Sequence, residues 1–155
     1  MAKAVIKNHF KLNIPGRSQN EAFARTAVAA FASQLDPTVE EINDIKAAVS
    51  EAVTNCIVHA YADTIGNIEI VARILEFPER TTDSDSPWLY IRIRDKGCGI
   101  ADIVQAKTPL FTTCAEGERA GLGFAVMENF MDKLHVRSKP DCGTTITMQK
   151  RLQLK

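Results

Sequence analysis

"RIRDKGCGIADI", residues 92–103, sets an Asp and two glycines directly behind a strand-like run. Asp and Gly end strands in many ordinary turns, so D-x-G-x-G by itself is a weak signal. An ionised carboxylate only accepts hydrogen bonds, so Asp95 suits the exocyclic amine of adenine and would face the carbonyl of guanine unfavourably. Gly97 and Gly99 lack a Cβ and let the backbone approach a flat ligand closely. The company this turn keeps along the chain decides between the two readings.

Upstream, "SEAVTNCIVHAY" (50–61) places Glu51 and Asn55 four residues apart on one side of a helix, and His59 extends the row by a further turn. Such a row is commonly a solvated face, but here its surround is apolar. An amide oxygen can ligate Mg²⁺, and a nearby carboxylate can take the proton of an attacking hydroxyl, which together are parts of a phosphoryl-transfer site. Downstream, "GERAGLGFAVM" (117–127) puts Gly121 and Gly123 just before or at a helix start. Unpaired N–H groups and the helix dipole favour phosphate there, and Arg119 can add a charge. The stretch before it, "TPLFTTCAEGERA" (108–120), has no strong periodicity and suits a lid over a nucleotide.

Other nucleotide and ion motifs fail. There is no G-x-x-x-x-G-K-[ST], the glycines do not complete G-x-G-x-x-G, and the turn at 95–99 lacks the spaced acidic ligands of a calcium loop. Cys98 reads as a small filler, since nothing near it in sequence lowers its pKa.

Around these motifs, residues 4–14 alternate as a half-buried strand, with Ala4, Ile6, Phe10, Leu12 and Ile14 on its inner face. Ser18 and Glu21 form a capping-box signature after a Pro-Gly turn, opening a helix to about Leu35 with Phe23, Ala27, Ala30 and Phe31 inward. A second helix starts at "DPTVEE", tolerates Pro37 in its first turn, and runs to about Tyr61. Its core stripe is Val39, Ile42, Ile45, Val49, Val53 and Ile57. Residues 68–77 and 88–94 read as a strand pair joined by a polar loop at 78–87. A short helix is expected at 101–107, a longer one at 121–133, and two strands in the tail joined by a turn at 140–143. This order predicts an α+β fold, a two-layer sandwich of a mixed, largely antiparallel sheet with helices on one face.

The chain has 155 residues, which fits one domain spanning 1–155. Nineteen Lys and Arg balance nineteen Asp and Glu, and no segment carries a basic stripe, so a direct nucleic-acid partner is not expected. The N-terminus lacks the continuous apolar centre of a signal peptide and no run approaches membrane-spanning length, so a cytoplasmic protein is expected. The four cysteines form no C-x-x-C and no paired Cys/His spacing, which points to neither zinc nor a disulfide framework.

Taken in order, E-x-x-x-N, D-x-G-x-G and G-x-G resemble the N, G1 and G2 boxes of the ATP-binding fold shared by histidine kinases, Hsp90-type chaperones, gyrase and MutL. "SQNEAFARTAVAAF", "LDPTVEEINDIKAAVSEAVTNCIVHAY", "PLFTT" and "GLGFAVMENFMD" narrow the resemblance to the bacterial anti-sigma factor serine kinases, most of all the sporulation anti-sigma-F factors. The likeness covers nearly the whole chain. It implies a homodimeric protein that binds and silences a sigma factor and uses ATP and Mg²⁺ to phosphorylate a serine on an anti-anti-sigma protein. Carried onto matching positions, Glu51 resembles the general base, Asn55 the Mg²⁺ ligand and Asp95 the adenine acceptor. Gly97, Gly99, Gly121 and Gly123 would shape the nucleotide site, with Arg119 near the phosphates and Thr144 or Thr145 completing the adenine pocket. Glu21 and Arg25 are similar to first-helix residues the family uses for partner contact, although an intrahelical ion pair also explains them. Cys56 stands where the family commonly has Ala. Two other readings stay open: a general-stress anti-sigma kinase, and a module that uses ATP only to set its conformation. Glu51 discriminates the second, because a pure clamp needs no base.

Overall fold

A computed structural model describes residues 3–61, 64–78, 86–99 and 122–153. The helix expected at 101–107, the lid at 108–120 and most of the 78–87 loop lie outside the described residues, as do Arg119 and Gly121.

The elements run β1 (Val5–Pro15), α1 (Gln19–Ala32), α2 (Val39–Asn55), β2 (Asn67–Glu76), β3 (Trp88–Asp95), α3 (Leu122–Phe130), β4 (Lys133–Ser138) and β5 (Thr144–Arg151). The strands form one sheet in the order β1-β2-β3-β5-β4, and its four pairings are all antiparallel. Ile68, Ile70, Leu89, Ile91, Ile93, Ile146 and Met148 alternate onto one face, where they pack against the buried sides of the helices. The predicted α+β sandwich is the observed fold.

The first strand departs from strict alternation. Its register shifts between Ile6 and Asn8, so the inner row is Phe10, Leu12 and Ile14, while Ile6 is half exposed and Ala4 precedes the strand. A bulge adds a residue and breaks the two-residue period.

Two helix starts are reversed from expectation. Ser18 sits in a helical conformation with no side-chain cap, so the Ser18/Glu21 box does not form. The capping box lies instead at Thr38 and Glu41: Glu41 N–H donates to Thr38 Oγ1 at 3.1 Å, and Thr38 N–H donates to Glu41 Oε1 at 2.9 Å. Pro37 therefore precedes the cap. Glu41 Oε2 also receives Gln153 N–H at 3.0 Å, tying the chain's end to this cap.

The inward row of α1 is Ala24, Val28, Ala29 and Ala32, not Phe23, Ala27 and Ala30. Small residues let α1 lie close to α2, and of the two Phe side chains only Phe31 turns in, meeting Phe10 edge-on with ring centroids 5.0 Å apart. Phe23 is 53% exposed. In α2 the fully buried stripe is Ile45, Ala48, Val49, Ala52 and Val53, continued by Cys56, with Ile42 and Ile57 half-buried and Val39 left outside.

Candidate functional site

The second helix is the spine of the site. It is α-helical only to Asn55; Cys56–Ala60 form a π turn, closed by Tyr61 N–H on Cys56 O at 3.2 Å. His59 lies within this wider i→i+5 turn, whereas Glu51 and Asn55 are on the regular α-helix. Its half-burial holds the imidazole below its ordinary pKa and keeps it neutral at pH 7.

At the N-terminal side of this break, three motif residues converge. A Cβ on Gly123, in the first turn of α3, would lie 3.1 Å from Glu51 Oε2 and 3.5 Å from Asn55 Oδ1. The absence of that Cβ keeps the start of α3 against the Glu51/Asn55 pair, with first-turn N–H groups beside them. Asn55 Nδ2 is buried with no hydrogen-bond partner among the described residues. A buried amide left unpaired is costly and marks a place where a ligand atom belongs. Turning the amide would present Oδ1 there, a hard oxygen donor of the kind Mg²⁺ takes.

At the other side of the break sits Asp95, the last residue of β3 and only 4% exposed. Its Oδ1 accepts from Gly97 N–H at 2.9 Å and from Thr144 N–H at 3.2 Å. Cys56, fully buried at the start of the π turn, is close enough to feel the charge of this carboxylate. Burial pushes the Asp95 carboxyl up, and the N–H donors of Gly97 and Thr144 pull it partly back. Burial, and then the charge on Asp95, push the Cys56 thiol well up, so it stays protonated. An ionised carboxylate has about four acceptor positions. Capacity remains on Asp95 for a ligand donor.

The D-x-G-x-G turn is docked onto the π turn. Cys98 N–H donates to Ala60 O at 3.2 Å and Cys98 Sγ to His59 O at 3.3 Å, capping carbonyls that a helix end leaves without partners. A Cβ on Gly97 would overlap the Ala60 carbonyl, so no other residue fits without moving the turn. Gly99 adopts φ +76°, against the Lys139 backbone of the β4–β5 turn. Tyr61 secures the same corner, accepting Lys96 N–H at 2.6 Å and donating to Asn67 O at 2.9 Å.

Thr144 is buried and directly opposite Asp95 in the sheet, and its hydroxyl lies 2.8 Å from Ser138 Oγ. Thr145 takes the alternate position, facing away from the helices. Of the two threonines the sequence offered, Thr144 belongs to this site.

The structure thus gathers Glu51, Asn55 and Gly123 at one end and Asp95, Gly97, Gly99 and Thr144 at the other. Glu51 and Cys56 are separated by about 7.5 Å along the helix axis. Glu21 and Arg25 are elsewhere, on α1, as an ion pair 3.6 Å apart. Two contributors were not legible beforehand. Cys56 read only as a replacement for the Ala common in the resembling family, and Tyr61 as the end of a helix. Only the chain's return through 95–99 gives either its role.

A family model described as a histidine kinase-like ATPase domain matches residues 14–150. The anti-sigma F factor of Caldanaerobacter subterraneus subsp. tengcongensis is 54% identical over 143 residues, covering 92% of this chain and 93% of the relative. That of Bacillus subtilis (strain 168) is 46% identical over 147 residues, covering 95% and 94%. Among solved structures, the RsbU and RsbW domains of Rv1364c from Mycobacterium tuberculosis superpose with a TM-score of 0.63 at 17% identity. That match takes in 96% of this chain and 34% of the other, and shows the shared fold.

Proposed function

The chain belongs to the histidine kinase-like ATPase family, among its anti-sigma F factors, and from that membership we propose a sporulation anti-sigma factor with protein-serine kinase activity. It binds and silences a sigma factor, and it transfers the γ-phosphate of ATP to a serine of the anti-anti-sigma antagonist. The observation that carries the kinase reading is Glu51, held by the rigid part of α2 directly against Gly123 and one turn from Asn55.

Glu51 accepts the proton of the serine hydroxyl as its oxygen forms the new bond to the γ-phosphorus and the bond to the ADP oxygen breaks. Asn55 would hold Mg²⁺, which would neutralise charge on the phosphates. The first turn of α3 at Gly123, together with Arg119 and Gly121, receives the phosphates. Asp95 accepts from the adenine amine, in an orientation fixed by Gly97 and Thr144. The glycine turn at Gly97 and Gly99 keeps the backbone clear of the base. Phosphorylation disables the antagonist, whereas the unmodified antagonist displaces the sigma factor. The protein acts in the cytoplasm as a homodimer; among the described residues no helix is long and apolar enough to cross a membrane.

Glu21 and Arg25 supply the partner surface, beside the exposed Phe23. At 3.6 Å their ion pair is long, and the Arg25 side chain stays partly exposed while Glu21 Oε1 is buried, so the Arg25 charge is the one available to a partner. The test is paired: transfer from labelled ATP to the anti-anti-sigma protein, and capture of the sigma factor, each with Arg25→Glu. Arg25→Glu weakens capture and leaves the ATP dissociation constant unchanged. Equal capture by both chains would restrict Arg25 to its intrahelical pair.

A further inference from the structure

The face of the sheet turned away from the helices carries a trough that the nucleotide site does not use. Opposite residues across β3, β5 and β4 form two parallel rows: Arg94, Thr145 and Arg137, and then Arg92, Thr147 and His135. Two threonine hydroxyls make the floor along β5, and three guanidinium groups and an imidazole make the walls. These six residues, with Tyr90 at one end, line an open depression of about 370 Å³. Charge is not balanced there. Arg92 gives Nη2 to Glu69 Oε1 at 3.2 Å, and Glu69 is shared with Lys11 at 3.2 Å. Arg92 Nε is buried with no acceptor among the described residues. A buried guanidinium N–H without an acceptor is a donor awaiting one.

The chemistry of the lining selects the ligand. Arg forks bind phosphate and carboxylate bidentately, but donors on both walls and the floor demand acceptors in several directions. A tetrahedral phosphate offers these; a planar carboxylate does not. The rows lie two residues apart along the strand, about 6.8 Å, so a short chain of linked phosphates spans both. Nucleobase stacking is disfavoured, because the neighbouring rings are already covered: Arg73 lies over Tyr90 at 5.1 Å and Lys133 over Trp88 at 4.9 Å.

We propose that the trough along β5 is a second anion site, which takes an oligophosphate through Arg92, Arg94 and Arg137 with the Thr145 and Thr147 hydroxyls beneath. It goes beyond the kinase reading and stands whether or not that reading holds. The ligand can be free oligophosphate or the phosphate chain of a nucleotide.

The test titrates inorganic tripolyphosphate, and separately ATP, into the isotope-labelled full chain at 0.15 M salt, following backbone amide shifts at Thr145, Thr147 and Gly123. Saturable shifts at Thr145 and Thr147 are expected, weakened at least tenfold in Arg94→Gln/Arg137→Gln and reduced in Thr145→Val, with the Gly123 response to ATP intact. Shifts at Thr145 and Thr147 with tripolyphosphate alone assign a free oligophosphate; shifts with both assign the shared phosphate chain. Tripolyphosphate shifts confined to Gly123, or equal affinity in the double variant, would overturn the proposal. A double variant that instead changes the oligomeric state without any tripolyphosphate response would assign the trough to contacts between copies and overturn it equally.

Discussion

Thr144 donates its backbone N–H to Asp95 Oδ1 at 3.2 Å, joining β5 to the end of β3 across 49 residues of chain. The bond fixes the carboxylate of a residue that is almost wholly buried, and burial of that charge works against the fold. Under the proposed function, ligand binding is what that unfavourable burial serves.

Asp95→Asn separates the two effects. An amide can still accept from Gly97 and Thr144 through its oxygen, yet presents a donor where adenine's amine must donate. ATP affinity falls by at least about tenfold, about 1.4 kcal/mol. The thermal midpoint stays level or rises, because no charge is buried. Isothermal titration and a melting curve on the same sample check both, and unaltered ATP affinity would remove Asp95 from the site.

The same carboxyl sets a pH dependence. Its folded pKa is raised, so its contribution to stability is full below the ordinary Asp value and is lost as pH rises through the raised pKa. Nucleotide binding runs the other way, because only the ionised form accepts. ADP affinity is expected to weaken on acidification at a higher pH than an ordinary Asp would produce, and this component should vanish in Asp95→Asn. Identical pH profiles for the two chains would contradict it.

Gly97→Ala drives a methyl into the Ala60 carbonyl. Repacking against backbone costs about 1–3 kcal/mol, seen as a lower urea midpoint at unchanged slope. ATP binding weakens with it, since the Asp95 turn must shift. An unchanged midpoint would show that the turn and the π turn are not in contact.

Helix capping gives a control remote from chemistry. Thr38→Ala removes a formed capping box and is expected to cost about 1 kcal/mol, whereas Ser18→Ala removes no cap and stays within about 0.5 kcal/mol. Equal losses in urea denaturation would contradict the assignment of the caps.

What the sequence displayed was local. Runs rich in Ile, Val, Leu and aromatics at 68–77 and 88–94 marked the strands, and E-x-x-x-N, D-x-G-x-G and G-x-G marked the ends of the candidate site, because each needs only neighbours in the chain to be recognised. What it concealed was relational. Ser18 and Thr38 both precede a Glu by three residues, and only the chain's approach to each helix decides which caps. The π turn after Asn55 is capped by Cys98 from another element, so no periodicity announces it. Arg92, Arg94 and Arg137 are spread over two strands, and pairing through β5 is what makes them a basic trough in a chain with no net charge.

The central claim is that Glu51 serves as a base rather than as one more polar group on a helix. The direct measurement is transfer of γ-phosphate from ATP with Mg²⁺ to the anti-anti-sigma protein by wild type and Glu51→Gln, with ATP binding measured on both. The account predicts that Glu51→Gln binds ATP within a few-fold of wild type while transfer falls by about 10²–10⁴. Transfer at the wild-type rate by Glu51→Gln would contradict it.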